Sequence, residues 1–272
     1  MCLASRDVQA MFGLIGDAEM FCVQSFVFDG SDYLGAAHEA GAMFMRFGYP
    51  SRTGGLGVVT VTHGPALTNT LTGLVEGVRG WVPMLLVAGD TATGSRANLQ
   101  GIPQRDVVLP TGAGFEQART PESALADLGV AIRRAIVERR PVVFNIPSDD
   151  TWQDIEYLDV PLDLPASQRI HPDPTSIRRA VDLITAARKT VMLAGHGPIS
   201  ARTSLLRLAE RIGAPRTTSL KAKDLFRGDP FDLGIAGGLA GPVAREVIDS
   251  ADLIISFGAR LNAYTTRQAG AP

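Results

Sequence analysis

Glu39 lies in Ala37-His38-Glu39-Ala40-Gly41-Ala42, among small and apolar neighbours at the expected start of a helix. A carboxylate in that setting can do two things. It can face the positive end of the helix dipole, which is a common stabilising placement. Alternatively, desolvation can leave it available for proton exchange near neutral pH. The residues alone leave both readings open. Gly195-His196-Gly197-Pro198 follows a strand signal and precedes a helix, a place where backbone N–H groups can cradle a phosphate. Pro198 stands where a third glycine would extend the pattern, and a tight strand-to-helix turn explains the same residues. Gly64-Pro65 carries the same pair of readings.

The remaining chemistry-bearing types exclude several functions. Cys2 and Cys22 cannot form a disulfide framework, and neither stands in a metal-ligand spacing. His38, His63, His171 and His196 are scattered, so no zinc site is expected. With 26 basic and 28 acidic residues the formal net charge is -2, which gives no electrostatic case for nucleic acid or an anionic membrane. No apolar run reaches membrane-spanning length, and the first ten residues lack the basic-then-apolar layout of a signal peptide, so a cytoplasmic protein is expected. A hydrophobic fraction of 45% against 20% charged residues describes a globular chain, and 272 residues suffice for one large domain or two ordinary ones.

The elements that must position these residues alternate between strand and helix. Met11 to Ile15 reads as a first strand, and Gly57 to Thr62 as a β-branched strand broken at His63-Gly64-Pro65. Leu67, Leu71, Leu74, Val75 and Val78 then recur at helical spacing. Met84 to Ala88 reads as a buried strand, Pro121 to Arg139 as a long helix with Pro at its first turn, and Pro141 to Ile146 as the next strand. Residues 158–174, with Pro161, Pro165, Pro172 and Pro174, form the best linker. Beyond it, helices are expected around Ile177 to Ile184, Leu205 to Ile212 and Pro242 to Asp249. Strands are expected at Thr190 to Ala194, Pro215 to Ser219 and Leu253 to Ser256. The fold class is therefore α/β: two mostly parallel sheets with helices on both faces, over residues 1–157 and 175–272. The second domain is expected to be incomplete, without a terminal helix and with a sheet edge in need of cover.

Read together, several segments resemble the pyrimidine-binding domain of thiamine-diphosphate-dependent enzymes of the acetolactate synthase-like group. They are Phe12-Gly-Leu-Ile-Gly16-Asp17, His38 to Ala42, Thr62-His-Gly-Pro-Ala-Leu-Thr-Asn69, Pro83 to Asp90 and Asn98-Leu-Gln-Gly-Ile-Pro-Gln104. The second half resembles the family's central domain through Val191 to Gly197, Leu220 to Phe226, Leu233 to Gly238 and Phe257-Gly-Ala-Arg-Leu-Asn262. The resemblance implies that Glu39 hydrogen-bonds a ring nitrogen of the cofactor's aminopyrimidine, favouring the tautomer that takes the proton from the thiazolium carbon. It implies that thiamine diphosphate serves as the electron sink for decarboxylation or carboligation of a small 2-oxo acid. Gly64, Pro65 and Asn69 would line the pyrimidine pocket with His38 and His63, and Gln104 would lie near the substrate. Some relatives carry FAD in the central domain, where Gly195 to Gly197 and Gly258-Ala259-Arg260 are the matching region. Self-association is implied as well.

The chain departs from the family pattern in ways that matter. No Gly-Asp-Gly followed at a distance by Asn is present, and that segment holds magnesium and the diphosphate in the family. The chain is therefore expected to supply the pyrimidine half of a site, completed by a diphosphate-binding domain or chain. Arg46-Phe-Gly-Tyr-Pro-Ser-Arg52 replaces the family's Ala-Asp-Gly-Tyr-Ala-Arg, and Phe47 and Pro50 are expected to disturb the end of the helix that carries Glu39. The altered segment motivates the competing expectation of a non-catalytic binding or scaffolding relative that keeps only the fold.

Overall fold

The computed structural model describes residue 3 and residues 8–49, 56–158, 160–165 and 170–266. It divides into two compact units, Met1–Ser167 and Gln168–Pro272. In chain order the first unit contains β1 (Ala10–Leu14), α1 (Met20–Phe28), β2 (Asp32–Gly35), α2 (Glu39–Gly48), β3 (Gly57–Val61) and α3 (Pro65–Thr68). Then follow α4 (Leu71–Gly80), β4 (Met84–Asp90), α5 (Gln104–Val108), β5 (Gly114–Gln117), α6 (Ala124–Glu138) and β6 (Pro141–Pro147).

The six strands form one parallel sheet in the order β2-β1-β3-β4-β6-β5. Its strands are near-continuous apolar runs because both faces are covered. Phe12, Val59, Leu86 and Val143 stand side by side in register and pack with Ala42, Met43 and Leu74 of α2 and α4. Met11, Val58, Leu85 and Val142 face the other way, against Val23 and Phe26 of α1 and Ile132 and Ala135 of α6. Fully burying side chains of this size contributes roughly 1.5–3 kcal/mol each.

Several elements differ from the expectations. The stripe from Leu67 to Val78 is two helices, α3 and α4, rather than one. The break falls at Asn69-Thr70, where the Thr70 hydroxyl donates to the Leu67 carbonyl at 2.7 Å. Helix α6 starts at Ala124, since Pro121 to Ser123 form a preceding turn. α1, β2 and β5 were not expected. α1 is Met-Phe-Cys-Val-Gln-Ser-Phe-Val-Phe, apolar on nearly every side, so it lacks the one-sided stripe that marks a surface helix. β2 and β5 are the two edges of the sheet and carry mixed residues, which blurs their period.

Helix α2 stays regular through Gly48, contrary to the expected disturbance, with Tyr49 donating its N–H to the Met45 carbonyl at 3.1 Å. Pro50 and residues 51–55 lie outside the described residues. The reason is visible at Arg46. Its side chain is fully buried, lies across Gly57 and donates Nη2 to the Pro83 carbonyl at 2.6 Å. Burial brings its guanidinium down to about 10.

The second unit contains α7 (Pro174–Ala186), β7 (Thr190–Ala194), α8 (Arg202–Ile212), β8 (Arg216–Thr218), β9 (Asp232–Ile235), α9 (Pro242–Asp249), β10 (Leu253–Phe257) and a one-turn α10 (Ala263–Thr266). Its parallel sheet runs β10-β7-β8-β9. β9 and the terminal α10 were not expected. One face is closed by α8, whose Leu205 and Ala209 pack with Met192, Ala194 and Phe226. On the other, Val191, Leu193, Ile254 and Leu261 line a cavity of about 650 Å³ beside α9. α7 buries none of its residues and leaves Ile177, Val181 and Leu183 exposed. Among the described residues, no helix is long and apolar enough to cross a membrane.

Candidate functional site

In a parallel sheet the loops that follow the strands gather at one edge. Ligands bind there, where neighbouring connections leave in opposite directions. In the first unit that point lies between β1 and β3. The loop after β1 brings Asp17 and Glu19 to it, and the loop after β3 brings Thr62, His63 and Gly64. Glu39 arrives on the first turn of α2 after β2.

Glu39 is 8% exposed, and its Oε2 accepts from Asn69 Nδ2 at 2.9 Å. No hydrogen bond reaches Oε1 among the described residues. Asn69 closes α3 with helical dihedrals, its N–H donating to the Pro65 carbonyl at 3.1 Å, and its side chain reaches this carboxylate. His38 caps α2: its Nδ1 accepts the Ala40 N–H at 3.1 Å and stands 3.9 Å from Glu39 Oε2, with the ring largely exposed. One ring nitrogen of His38 is therefore already engaged by the backbone.

His63 is 3% exposed. Its Nδ1 lies 3.2 Å from Thr62 Oγ1 and 3.9 Å from Asp17 Oδ1, while its Nε2 is buried with no hydrogen-bond partner. Buried polar atoms are normally bonded, so an orphaned ring nitrogen marks a place where a missing group belongs. Gly64 has φ 62 and ψ -115, and a Cβ there would stand 2.0 Å from the Gln100 carbonyl oxygen. Only glycine allows that turn together with that approach. Pro65 takes the first position of α3, where no N–H is needed.

Gln104 was expected near the substrate, but the structure turns it inward. At 3% exposure it accepts the Gly64 N–H at 2.8 Å and donates to the Gly89 carbonyl and to Asn145 Oδ1. The expected set thus separates. Glu39 and Asn69 are joined directly, and Gln104 holds Gly64. Asn145 was missed, although a single polar residue inside Pro-Val-Val-Phe-Asn-Ile-Pro is itself a signal, since a buried amide demands partners.

Glu19 was missed as well. It is 1% exposed, with Oε1 accepting the Gly16 N–H at 2.7 Å and Oε2 unpartnered. Burial pushes its carboxyl above the ordinary 4.5, with a smaller upward push from Asp17; bonds from the Gly16 and Glu19 backbone and from Thr62 pull the other way. Burial, then the nearby Glu19, raises the Cys22 thiol to about 11 and the Tyr33 phenol to about 12. The sign of the effect on stability follows from linkage. Below pH 4.5 the carboxyl is neutral in both the folded and the unfolded chain. As pH rises the unfolded chain ionises first, so stability falls until the folded carboxyl ionises too. Glu19→Gln, which stays neutral, is expected to lose less thermal stability than the parent between pH 4.5 and 7. Parallel melting-temperature profiles for the two would show that Glu19 is not the responsible group.

In the second unit the phosphate-cradle reading of Gly195 to Gly197 fails on geometry. Gly195 N–H donates to the Phe257 carbonyl at 2.8 Å and Gly197 N–H to that of Gly258 at 3.4 Å. α8 starts only at Arg202, so no α-helix opens at the turn. A Cβ on Gly195 would stand 2.1 Å from Gly258 O, so both glycines serve close packing of two loops. Among the described residues, no group of three His, Cys, Asp or Glu could hold a metal ion.

Two sequence profiles match the chain, that of the thiamine pyrophosphate enzyme N-terminal TPP binding domain over residues 1–109 and that of the central domain over residues 177–271. The chain belongs to the thiamine pyrophosphate enzyme family. Within that family it is 30% identical over 275 residues to a sulfoacetaldehyde acetyltransferase of Alcaligenes xylosoxydans xylosoxydans, covering 97% of this chain and 44% of the relative. It is 29% identical to a probable acetolactate synthase large subunit of Methanocaldococcus jannaschii, covering 97% and 46%. A benzoylformate decarboxylase from Polynucleobacter necessarius shares the fold with a TM-score of 0.79 at 21% identity, over 97% of this chain and 50% of that one. The chain thus spans about half the length of the thiamine pyrophosphate enzymes it matches.

Proposed function

We propose that this chain supplies the pyrimidine-binding half of a thiamine-diphosphate site acting on a small 2-oxo acid, completed by a diphosphate-binding domain or chain. The observation that carries this reading is Glu39: a buried carboxylate with one oxygen fixed by Asn69 and the other open. Such a group can share a proton with a ring nitrogen at a defined position, because the Asn69 bond holds Oε2 and leaves Oε1 to do so. The cofactor, when bound, supplies the electron sink for decarboxylation or carboligation. Glu39 would hold the proton at the pyrimidine, and His63 Nε2 and the Gly64 turn would bound its pocket. Gln104 positions Gly64 rather than substrate.

The diphosphate and magnesium need a cluster of ligands, and no group of three His, Cys, Asp or Glu is gathered among the described residues, so a partner segment would hold them. The partner has a surface to meet. α2 and α4 pack side by side and leave Phe44, Met45 and Val75 partly exposed. A second copy, or the diphosphate-binding chain, would cover that apolar face. The Gly195 and Gly258 loops pack on one another, so this reading places no flavin there. The test is thiamine diphosphate titration and carbon dioxide release from pyruvate, with magnesium, for the chain alone and mixed with a chain carrying a Gly-Asp-Gly…Asn segment. Turnover only in the mixture is expected. Turnover by the chain alone would overturn the half-site reading, and no cofactor binding in either sample would overturn the function.

A further inference from the structure

Gln104 Oε1 accepts from Gly64 N–H, and that bond requires the Gln104 amide to point one way. An amide has no charge to orient it, and a reversed amide would set two N–H groups face to face. Two acceptors set that orientation: the Gly89 carbonyl, 2.9 Å from Gln104 Nε2, and a side-chain path that runs two residues further on. Gln104 Nε2 donates to Asn145 Oδ1, Asn145 Nδ2 donates to Asp90 Oδ2 at 2.7 Å, and Asp90 Oδ1 accepts the Thr91 N–H at 2.7 Å. An ionised Asp90 can only accept. It therefore fixes Asn145 with its nitrogen toward Asp90 and its oxygen toward Gln104. Together with the Gly89 carbonyl, that presents the Gln104 nitrogen inward and its oxygen to Gly64.

We propose that Asn145 is a positioning residue that, beside the Gly89 carbonyl, passes the polarity of Asp90 to the Gly64 turn and so supports the placement of Asn69 against Glu39. The last links are on the same segment. Gly64 O accepts from Thr68 N–H and Pro65 O from Asn69 N–H, both at 3.1 Å, and Asn69 Nδ2 reaches Glu39. Asn145 is 0% exposed and its side chain bonds Gln104 and Asp90 rather than Glu39, so its effect on the site runs through Gln104. The relay itself stands on the hydrogen bonds; only its meaning for catalysis rests on the function proposed above.

Amide hydrogen exchange at Gly64, read by NMR on the whole chain, tests the relay without cofactor. In Asn145→Leu, which fills the volume but cannot transmit polarity, exchange at Gly64 is expected to accelerate about tenfold or more, the cost of a lost buried hydrogen bond. The Asn69 side-chain amide resonance should shift with it. In Asn145→Asp the new oxygen meets Asp90 Oδ2, and the two carboxyls fit only by sharing a proton. Its Gly64 protection and melting temperature should therefore be low at pH 8 and recover toward the parent at pH 5. A purely packing role would leave Asn145→Leu protected as in the parent, and would give Asn145→Asp no recovery at low pH. Either result would overturn the relay. If the parent fails to bind thiamine diphosphate even with its partner, the proposed function falls, while the exchange data still decide the relay.

Discussion

Glu39→Gln is expected to lower turnover of the completed site by about 10²–10⁴-fold, the usual scale for removing a positioned acid–base group, while leaving the fold intact. Glutamine keeps the volume, and its carbonyl can still accept the Asn69 Nδ2 that now holds Oε2 at 2.9 Å. What it loses is the ability to share a proton from the open oxygen. The melting temperature should move little, since a substitution that keeps the shape and the Asn69 bond leaves the packing of α2 unchanged. A second readout separates binding from proton exchange: thiamine diphosphate affinity should fall far less than turnover, because the interaction removed belongs to activation. Retention of more than about a tenth of the parent's turnover would contradict the role of Glu39. A large fall in melting temperature would assign the residue to helix-dipole stabilisation instead.

Much of this site was legible because its residues occupy strand-to-helix junctions. Glycine, proline and a capping residue punctuate the chain at such places. Glu39 at the head of a helix, His38 before it and Gly64-Pro65 after a β-branched run all lie where the sequence put them. The direction in which side chains turn was not legible. Gln104 points inward because Gly64, Gly89 and Asn145 converge on it from segments 15 to 41 residues away, a distance that no local pattern encodes. Glu19 follows the same logic, since its neighbours Gly16, Asp17 and Thr62 come from the loops after β1 and β3. In the fold, long apolar strands and one-sided helices were readable. The edge strands β2, β5 and β9 and the all-apolar α1 were not, since tertiary neighbours decide them more than period does.

Each unit leaves apolar side chains uncovered. α7 buries nothing, and the Val191–Ile254 face borders a cavity. In the first unit, Phe44, Met45 and Val75 are partly exposed. Parallel sheets are normally covered on both faces.

The altered segment after Glu39 is where stability is expected to be most sensitive, and the reason is steric. A Cβ on Gly57 would stand 0.9 Å from Arg46 Nε and 1.7 Å from its Cδ, so Gly57→Ala cannot coexist with the buried guanidinium. The arginine would have to leave its bond to the Pro83 carbonyl and the space over β3, and β3 at the sheet centre leaves no room to shift. Overpacking and displacement of a buried charge together are expected to cost about 3–5 kcal/mol in unfolding free energy, measured by urea denaturation. The Arg46→Ala background should behave differently. There the new methyl enters vacated space, and Gly57→Ala should cost less than about 1 kcal/mol, giving a coupling energy of at least about 2 kcal/mol between positions eleven residues apart. Equal costs in both backgrounds would mean that Gly57 is required for its own backbone and not for Arg46. With coupling, Arg46 and Gly57 act as one packing unit that holds α2 on the sheet. The sequence change at Arg46 then accompanies an intact helix under Glu39, and it ceases to argue for a chain that has lost its chemistry.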